Sequence, residues 1–355
     1  MYRRLWIAFA QNTRYDLLDR VLNIVPTESL IAAQLLIPQQ VNAQREGDED
    51  DEKKNDELFS IHARASIAEH GIRNTEYVMR IAYSVYNFPA MFSSKPVIAV
   101  IHVEALPGTP ANRLSLREIE AKALREAKIY SECGVHAVAL ENMHDVPYLR
   151  GSVGAEIVAS MAIIARAVKD VVTVPCGIQI LAGANIEAMA VAHAANLDFI
   201  RAEGFVFAHI ADEGFIQSSA ASLLRYRKQI GAERVQVWAD VKKKHSAHAI
   251  TSDIGIGATA EAVEFMRGDV VIVSGSVTGE PPQQSDILEV KQHCKLPAYL
   301  GSGVTADNLP SFFPHADGFI VGSYFKVNGH WANEVDAKRV ETFMKVHQGM
   351  SKDEG

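Results

Sequence analysis

Cysteine is scarce: the 355-residue chain has three, Cys133, Cys176 and Cys294, far apart and odd in number. That spacing excludes a disulfide framework and a cysteine-built metal centre, and leaves ordinary intracellular thiols, buried or half-buried in a fold. No stretch approaches the roughly 20 consecutive apolar residues that a membrane-spanning helix needs. No transmembrane segment is expected, which leaves peripheral association with a membrane surface open. Positive charge never accumulates either. The formal net charge is −8 and the longest basic run is Lys242-Lys243-Lys244, so no nucleic-acid surface is expected, although a local pocket can oppose the global sign and hold a small anion.

What is present divides into two parts. Hydrophobic residues make up 48% of the chain, enough for one large core with an appendage. Residues 1–90 differ from the rest: 46–57 is a charged run with almost no apolar residue, read as a disordered linker. Before it, Arg3, Arg4, Arg14 and Arg20 precede or surround the first acid, Asp16. That faintly resembles a mitochondrial presequence, though one poor in serine. A cytoplasmic protein is expected, with a mitochondrial one as the alternative. The folded unit is placed at 91–348, with 349–355 as a disordered tail.

From Pro96 onward, short and nearly continuous apolar runs alternate with amphipathic stretches. Continuous rather than alternating strands imply burial on both faces, as in a parallel sheet covered by helices. Eight strands are predicted: Val97 to His102, Ala137 to Glu141, Val174 to Leu181, Phe199 to Glu203, Val235 to Val241, Val270 to Ser274, Ala298 to Gly301 and Gly318 to Val321. Helices are expected near 115–132, 153–169, 185–195, 217–230, 256–267, 283–293, 305–313 and 336–347. After the first strand stands Leu106-Pro107-Gly108-Thr109-Pro110, with no G-x-G-x-x-G dinucleotide fingerprint. Eight such units in about 250 residues predict a single (β/α)8 TIM barrel with an N-terminal extension.

In such barrels catalytic groups come from the C-terminal strand ends, and a phosphate grip is often built after the seventh and eighth strands. Gly301-Ser302-Gly303 and Gly322-Ser323 stand at those two places. Glycine lets backbone N–H groups approach an anion closely, and a helix opening just beyond would add its positive end. The other strand ends carry charge: His102, Glu141, Arg201, Asp240 and Lys242, with Ser274 on the sixth strand and Thr278 and His245 in nearby loops. Any one of these reads equally well as a salt bridge or a solvated loop residue. Together they must pair with one another or with a ligand, because isolated buried ions are costly.

Glu141, Asp240, Lys242 and His102 are taken as catalytic candidates. Gly301, Ser302, Gly303, Gly322, Ser323, Arg201, Ser274, Thr278 and His245 are taken as ligand-binding candidates. No cofactor is predicted. A divalent ion at His102, Glu141, Asp240 and His245 is the weaker alternative, since no compact H-E-x-x-H spacing supports it. The expected partner is a phosphorylated small molecule, and assembly into a homo-oligomer is compatible with this reading.

His102-Val103-Glu104-Ala105-Leu106-Pro107-Gly108-Thr109-Pro110, Glu141-Asn142, Asp240-Val241-Lys242 with His245, Ser274-Gly275 with Thr278-Gly279-Glu280-Pro281-Pro282, and the two glycine segments together resemble the BtpA family. The resemblance spans about residues 95–348. It implies a barrel similar to the ribulose-phosphate-binding group, which includes phosphoribosylanthranilate isomerase and indole-glycerol-phosphate synthase. Two functions follow as expectations. One is an enzyme that moves protons on a phosphorylated sugar or nucleotide-like metabolite, as isomerase, lyase or hydrolase. The other is a non-enzymatic assembly factor, as the family's naming for photosystem I biogenesis implies.

Overall fold

The computed structural model describes residues 91–92, 95–275 and 281–353. The expectations for residues 1–90 therefore lie outside the described residues, as does Thr278. The chain runs through β1 (Val97–His102), α1 (Leu116–Glu132), β2 (Ala137–Glu141), α2 (Ala155–Val171), β3 (Cys176–Gln179), α3 (Asn185–Ala194) and β4 (Phe199–Ala202). It continues with β5 (His209–Ala211), β6 (Gly214–Ile216), α4 (Ala220–Gln229), β7 (Gln236–Val241), β8 (Ser246–Ala247) and α5 (Ile256–Phe265). The last elements are β9 (Val270–Val273), α6 (Gln284–His293), β10 (Ala298–Leu300), α7 (Leu309–Phe312), β11 (Gly318–Val321) and α8 (Ala337–Asp353).

Eight parallel strands close into a barrel in the order β1-β11-β10-β9-β7-β4-β3-β2. This is the predicted (β/α)8 barrel. Period-2 alternation sorts each strand between two apolar layers. Val97, Ala99, Ile101, Val138, Leu140, Ile200, Val237 and Val271 join the main core under the helices. Their neighbours Val100, Phe199, Trp238, Ile272 and Tyr299 are equally buried but stand apart from that cluster, inside the barrel. There Phe199 stacks on Trp238 with centroids 3.6 Å apart, and Tyr299 meets the same indole edge-on at 5.2 Å. Trp238 Nε1 donates to Gln236 Oε1 at 2.8 Å, so the polar edge of the indole is satisfied. The lower interior is thus filled by aromatic rings.

Local chemistry explains where elements begin. Ser115 caps α1 in a reciprocal box: its backbone N–H donates to Glu118 Oε2 at 2.8 Å, and Glu118 N–H donates to Ser115 Oγ at 3.4 Å. Asp336 accepts from Lys338 N–H at 3.0 Å at the start of α8.

Two expectations are corrected, and one small sheet comes in addition. The helix expected over 305–313 shrinks to the single turn Leu309–Phe312, because Thr305 and Asn308 exchange backbone-to-side-chain hydrogen bonds (2.8 and 3.3 Å) that hold the preceding segment as a turn. The closing helix continues to Asp353, so 349–353 is helical rather than a loose tail. A small antiparallel sheet in the order β6-β5-β8 stands beyond the ends of β4 and β7. Its strands of two or three residues are too short to show periodicity in a sequence.

Candidate functional site at the barrel mouth

One cavity of about 130 Å³ opens at the C-terminal end of the barrel. That is several times the roughly 10–15 Å³ that holds one water. One of its ends is backbone and small side chains. Gly301 to Thr305, from the loop after β10, line it together with Gly322, Ser323 and Tyr324 from the loop after β11. Side chains are excluded there by close approach. A Cβ on Gly301 would lie 2.8 Å from Ser274 Oγ, and one on Gly322 would lie 2.9 Å from His102 Nε2. The first loop is tied by Asn308, whose Nδ2 donates to Gly303 O at 2.9 Å. Beyond the second loop, the fully buried Lys326 pairs with Glu126 of α1 at 2.7 Å and fixes the segment to the barrel wall.

Arg339, in the first turn of α8, also lines this end. Its Nε donates to Tyr324 O at 2.5 Å and its guanidinium lies 4.3 Å from the centre of the Tyr324 ring, so the cation is held in place against the glycine loop. Neither glycine loop opens into a long helix: α7 is one turn, and a 3-10 turn follows from Ser323 to Phe325. The cationic contribution expected from helix ends is supplied here by a guanidinium instead.

Charged side chains form the rest of the lining. Arg201, on β4, is buried between two acids from neighbouring strands. Its Nε and Nη2 donate to Asp240 Oδ2 and Oδ1 at 2.9 and 2.8 Å, and its Nη1 donates to Glu141 Oε1 at 3.1 Å. Burial alone would lower the guanidinium pKa, but Asp240 and then Glu141 outweigh it and raise it, so Arg201 is permanently charged. Ser274 Oγ adds a 3.4 Å donation to Asp240 Oδ1. Glu141 and Arg201 line the cavity, whereas Asp240 sits behind them and faces a smaller, separate cavity.

His102, at the end of β1, lines the cavity too. Its Nδ1–H donates to Trp331 O at 2.7 Å. Burial, and next the positive charge of Lys326, push its pKa well below the usual value. The ring is therefore neutral at pH 7, and its Nε2 offers a lone pair beside Gly322.

The lysine run after β7 is placed differently from the sequence expectation. Lys242, a catalytic candidate, would share the inward parity of Asp240 if the strand continued. It adopts φ +50°, a left-handed conformation that ends the alternation. Its Nζ donates to Thr251 O at 3.2 Å, away from the main cavity. His245 is also left-handed, at φ +54°, is exposed, and does not line the mouth. Lys243 is buried and lies 3.5 Å from Glu203 Oε2 and 3.4 Å from Glu213 Oε2, locking the end of β4 to the small sheet. Burial lowers its pKa, but those two acids raise it further, so it is a closed ion pair. Lys244, which parity did not single out, is the lysine that reaches the cavity. Burial, and next Arg201, lower its pKa.

The structure thus brings His102, Glu141, Arg201, Gly301, Ser302, Gly303, Gly322 and Ser323 to one cavity, with Asp240 and Ser274 directly behind. Among the described residues no group of three or more His, Cys, Asp or Glu is arranged to hold a metal ion, so the proposed quartet with His245 is not assembled. Asn142 and Asp145 serve the loops: Asn142 Nδ2 donates to Asp145 Oδ2, Asp145 Oδ1 accepts from Leu106 N–H, and Asn142 Oδ1 accepts from Leu181 N–H. Lys244, Tyr324 and Arg339 were missed. For Arg339 no local signal existed, because α8 returns to the mouth through packing alone.

Comparison with known proteins follows the same span. The family model described as BtpA family matches residues 93–349. A Caenorhabditis elegans protein, uncharacterised and named as mitochondrial, is 46% identical over 259 residues, covering 71% of this chain and 93% of that protein. The photosystem I biogenesis protein BtpA of Synechocystis sp. is 30% identical over 260 residues, covering 73% and 90%. Among solved structures, phosphoribosylanthranilate isomerase from Thermotoga maritima is similar with a TM-score of 0.45 at 14% identity, over 71% of this chain and 99% of that one. Among the described residues, no helix is long and apolar enough to cross a membrane.

Proposed function

The chain belongs to the BtpA family, and from that premise we propose that it is an enzyme acting on a small phosphorylated metabolite. The phosphate is held by the Gly301–Gly303 and Gly322–Tyr324 loops with Arg339, and the rest of the ligand meets His102, Glu141 and Lys244. The observation that carries this reading is one cavity lined both by two glycine loops and by titratable side chains. A guanidinium braced on Tyr324 beside glycine backbone suits a dianion. Glu141 commits one oxygen to Arg201 and still lines the cavity, while His102 presents a neutral imidazole nitrogen beside Gly322. Anchoring the phosphate fixes orientation, and the neighbouring acid–base set then transfers protons, as isomerase or lyase chemistry requires.

A thermal-shift panel of sugar phosphates, nucleotides and inorganic phosphate tests the anchor. Stabilisation should grow with concentration, reaching about 2.7 kcal/mol at a hundredfold excess over Kd. Gly303→Asp and Arg339→Gln should both lose it. A flat response to every compound, free phosphate included, overturns the reading and favours the assembly-factor alternative, which the name of the Synechocystis relative suggests. The mitochondrial naming of the Caenorhabditis elegans relative favours a mitochondrial over a cytoplasmic location, and fractionation with intact-mass measurement of the native protein decides between them.

A further inference from the structure

We propose that Lys244 is an amine nucleophile that forms an imine with a carbonyl-bearing phosphorylated substrate, with Glu141 moving the protons. This rests on the phosphate reading for the class of substrate, but the nucleophile itself rests on geometry.

Three consecutive lysines follow β7, and they have three different fates. Lys242 donates to a backbone carbonyl, Lys243 is ion-paired twice, and of the three only Lys244 lines the cavity. Among the described residues the Lys244 amine has neither a hydrogen bond nor an ion pair, although Glu141, Asp240 and Glu203 are all near enough to act on it electrostatically. Those acids are already engaged. Asp240 and Glu141 accept from Arg201, and Glu203 faces Lys243. The nearby guanidinium and the partial burial both favour the uncharged amine, the form that attacks carbonyls.

Glu141 has the complementary arrangement. Its Oε1 accepts from Arg201, and its Oε2 has no hydrogen bond among the described residues. The step balances without an oxidant or reductant. The Nζ lone pair forms a C–N bond to the carbonyl carbon, and the C=O π pair moves to oxygen, which takes up a proton as nitrogen gives one up. The resulting C–OH bond then breaks with a proton from Glu141, and water leaves as the iminium forms. The iminium withdraws electrons from the neighbouring carbon, which favours C–H proton abstraction or C–C cleavage. Isomerase and lyase chemistry follow from this; hydrolysis does not.

Acetylacetone is a suitable probe because it condenses with an uncharged amine to a vinylogous amide and water, and it needs no knowledge of the substrate. On the full chain one adduct should form, map to Lys244 by peptide mass, and be lost in Lys244→Arg but kept in Lys242→Met. Inorganic phosphate should slow the labelling. Label spread over surface lysines, or an unchanged label in Lys244→Arg, overturns the nucleophile and leaves the thermal-shift test of the phosphate anchor standing. A Lys244 label indifferent to phosphate supports the nucleophile and counts against the anchor.

Discussion

The two halves of the barrel interior are made by the same strands and hold opposite chemistry. On β4, Phe199 and Arg201 point the same way two residues apart; on β7, Trp238 and Asp240 do so. The lower pair stacks ring on ring, and the upper pair is a two-point ion pair. All four side chains are at least nine-tenths buried. Dispersion and apolar burial stabilise the lower half whatever the pH. In the upper half, buried charge is tolerable only while each ion keeps its partner. The lower half therefore reads as scaffold, and the upper half as the part whose stability depends on charge pairing.

Breaking each half should cost a similar amount at neutral pH and differ on acidification. Trp238→Ala removes a large buried ring, for a loss of about 3–5 kcal/mol. Arg201→Met leaves Asp240 and Glu141 buried without their cation, for a comparable loss of about 3–5 kcal/mol. The folded Arg201→Met chain then retains protons that the unfolded chain, with carboxyls near ~4, releases. Between that value and neutrality the folded form binds more protons than the unfolded form, so the variant recovers stability as pH falls. Urea denaturation at pH 7 and pH 5 reads both losses against wild type. Equal losses at the two pH values for Arg201→Met would contradict the ionic account of the upper half.

How much of this contrast could be read in advance follows the same division. Where the chain stays extended, period-2 alternation carries from sequence to structure: β1, β2 and β11 lie where the apolar runs place them, and Arg201 and Asp240 share a face. Legibility ends where the backbone leaves the strand. The left-handed φ of Lys242 is a property of one residue in a turn, and it moves the cavity lysine two places along the chain. Arg339 is brought to the mouth by the packing of α8, sixteen residues after Ser323, and no spacing rule connects them. The glycine signals marked both loops, but the helix dipoles expected beyond them gave way to a turn and a guanidinium.

The rim of the upper half supplies a smaller effect. His209, on β5, is buried with no partner for its Nε2 among the described residues and faces His248 at 5.3 Å between ring centres. Burial first, and then His248 and Lys243, lower its pKa to about 4. A histidine holds a proton near ~6.5 in the unfolded chain, so between that value and about 4 the unfolded state binds more protons. The contribution of His209 is full above the upper limit and is lost as pH falls through this window. Glu203, whose pKa is raised chiefly by burial, works in the opposite sense over part of the range. The informative quantity is thus the difference between wild type and His209→Gln, which should lose less stability than wild type between pH 7 and pH 5. A steeper loss in the variant would refute the assignment.

The smallest effect is expected at Lys242, and it sharpens the boundary between strand and turn. The lysine lies one residue beyond β7, but its left-handed backbone sends Nζ to Thr251 O, outside the cavity that Lys244 reaches. Removing the ammonium deletes one partly buried hydrogen bond, for a loss of about 0.5–1.5 kcal/mol. Lys242→Met should therefore lower the melting temperature slightly while leaving any ligand-induced shift intact. Lys242→Gly has a different meaning. Glycine adopts positive φ readily, so the backbone path is kept and Lys244 should still reach the cavity, even though the folded chain loses side-chain packing. Lys242→Pro cannot take φ +50° at all and should displace Lys244. Retained acetylacetone labelling of Lys244 in the glycine variant, with loss in a proline variant that still folds, would show that the turn rather than the lysine side chain sets the geometry. Labelling that survives in both would separate the position of Lys244 from the turn and weaken that explanation.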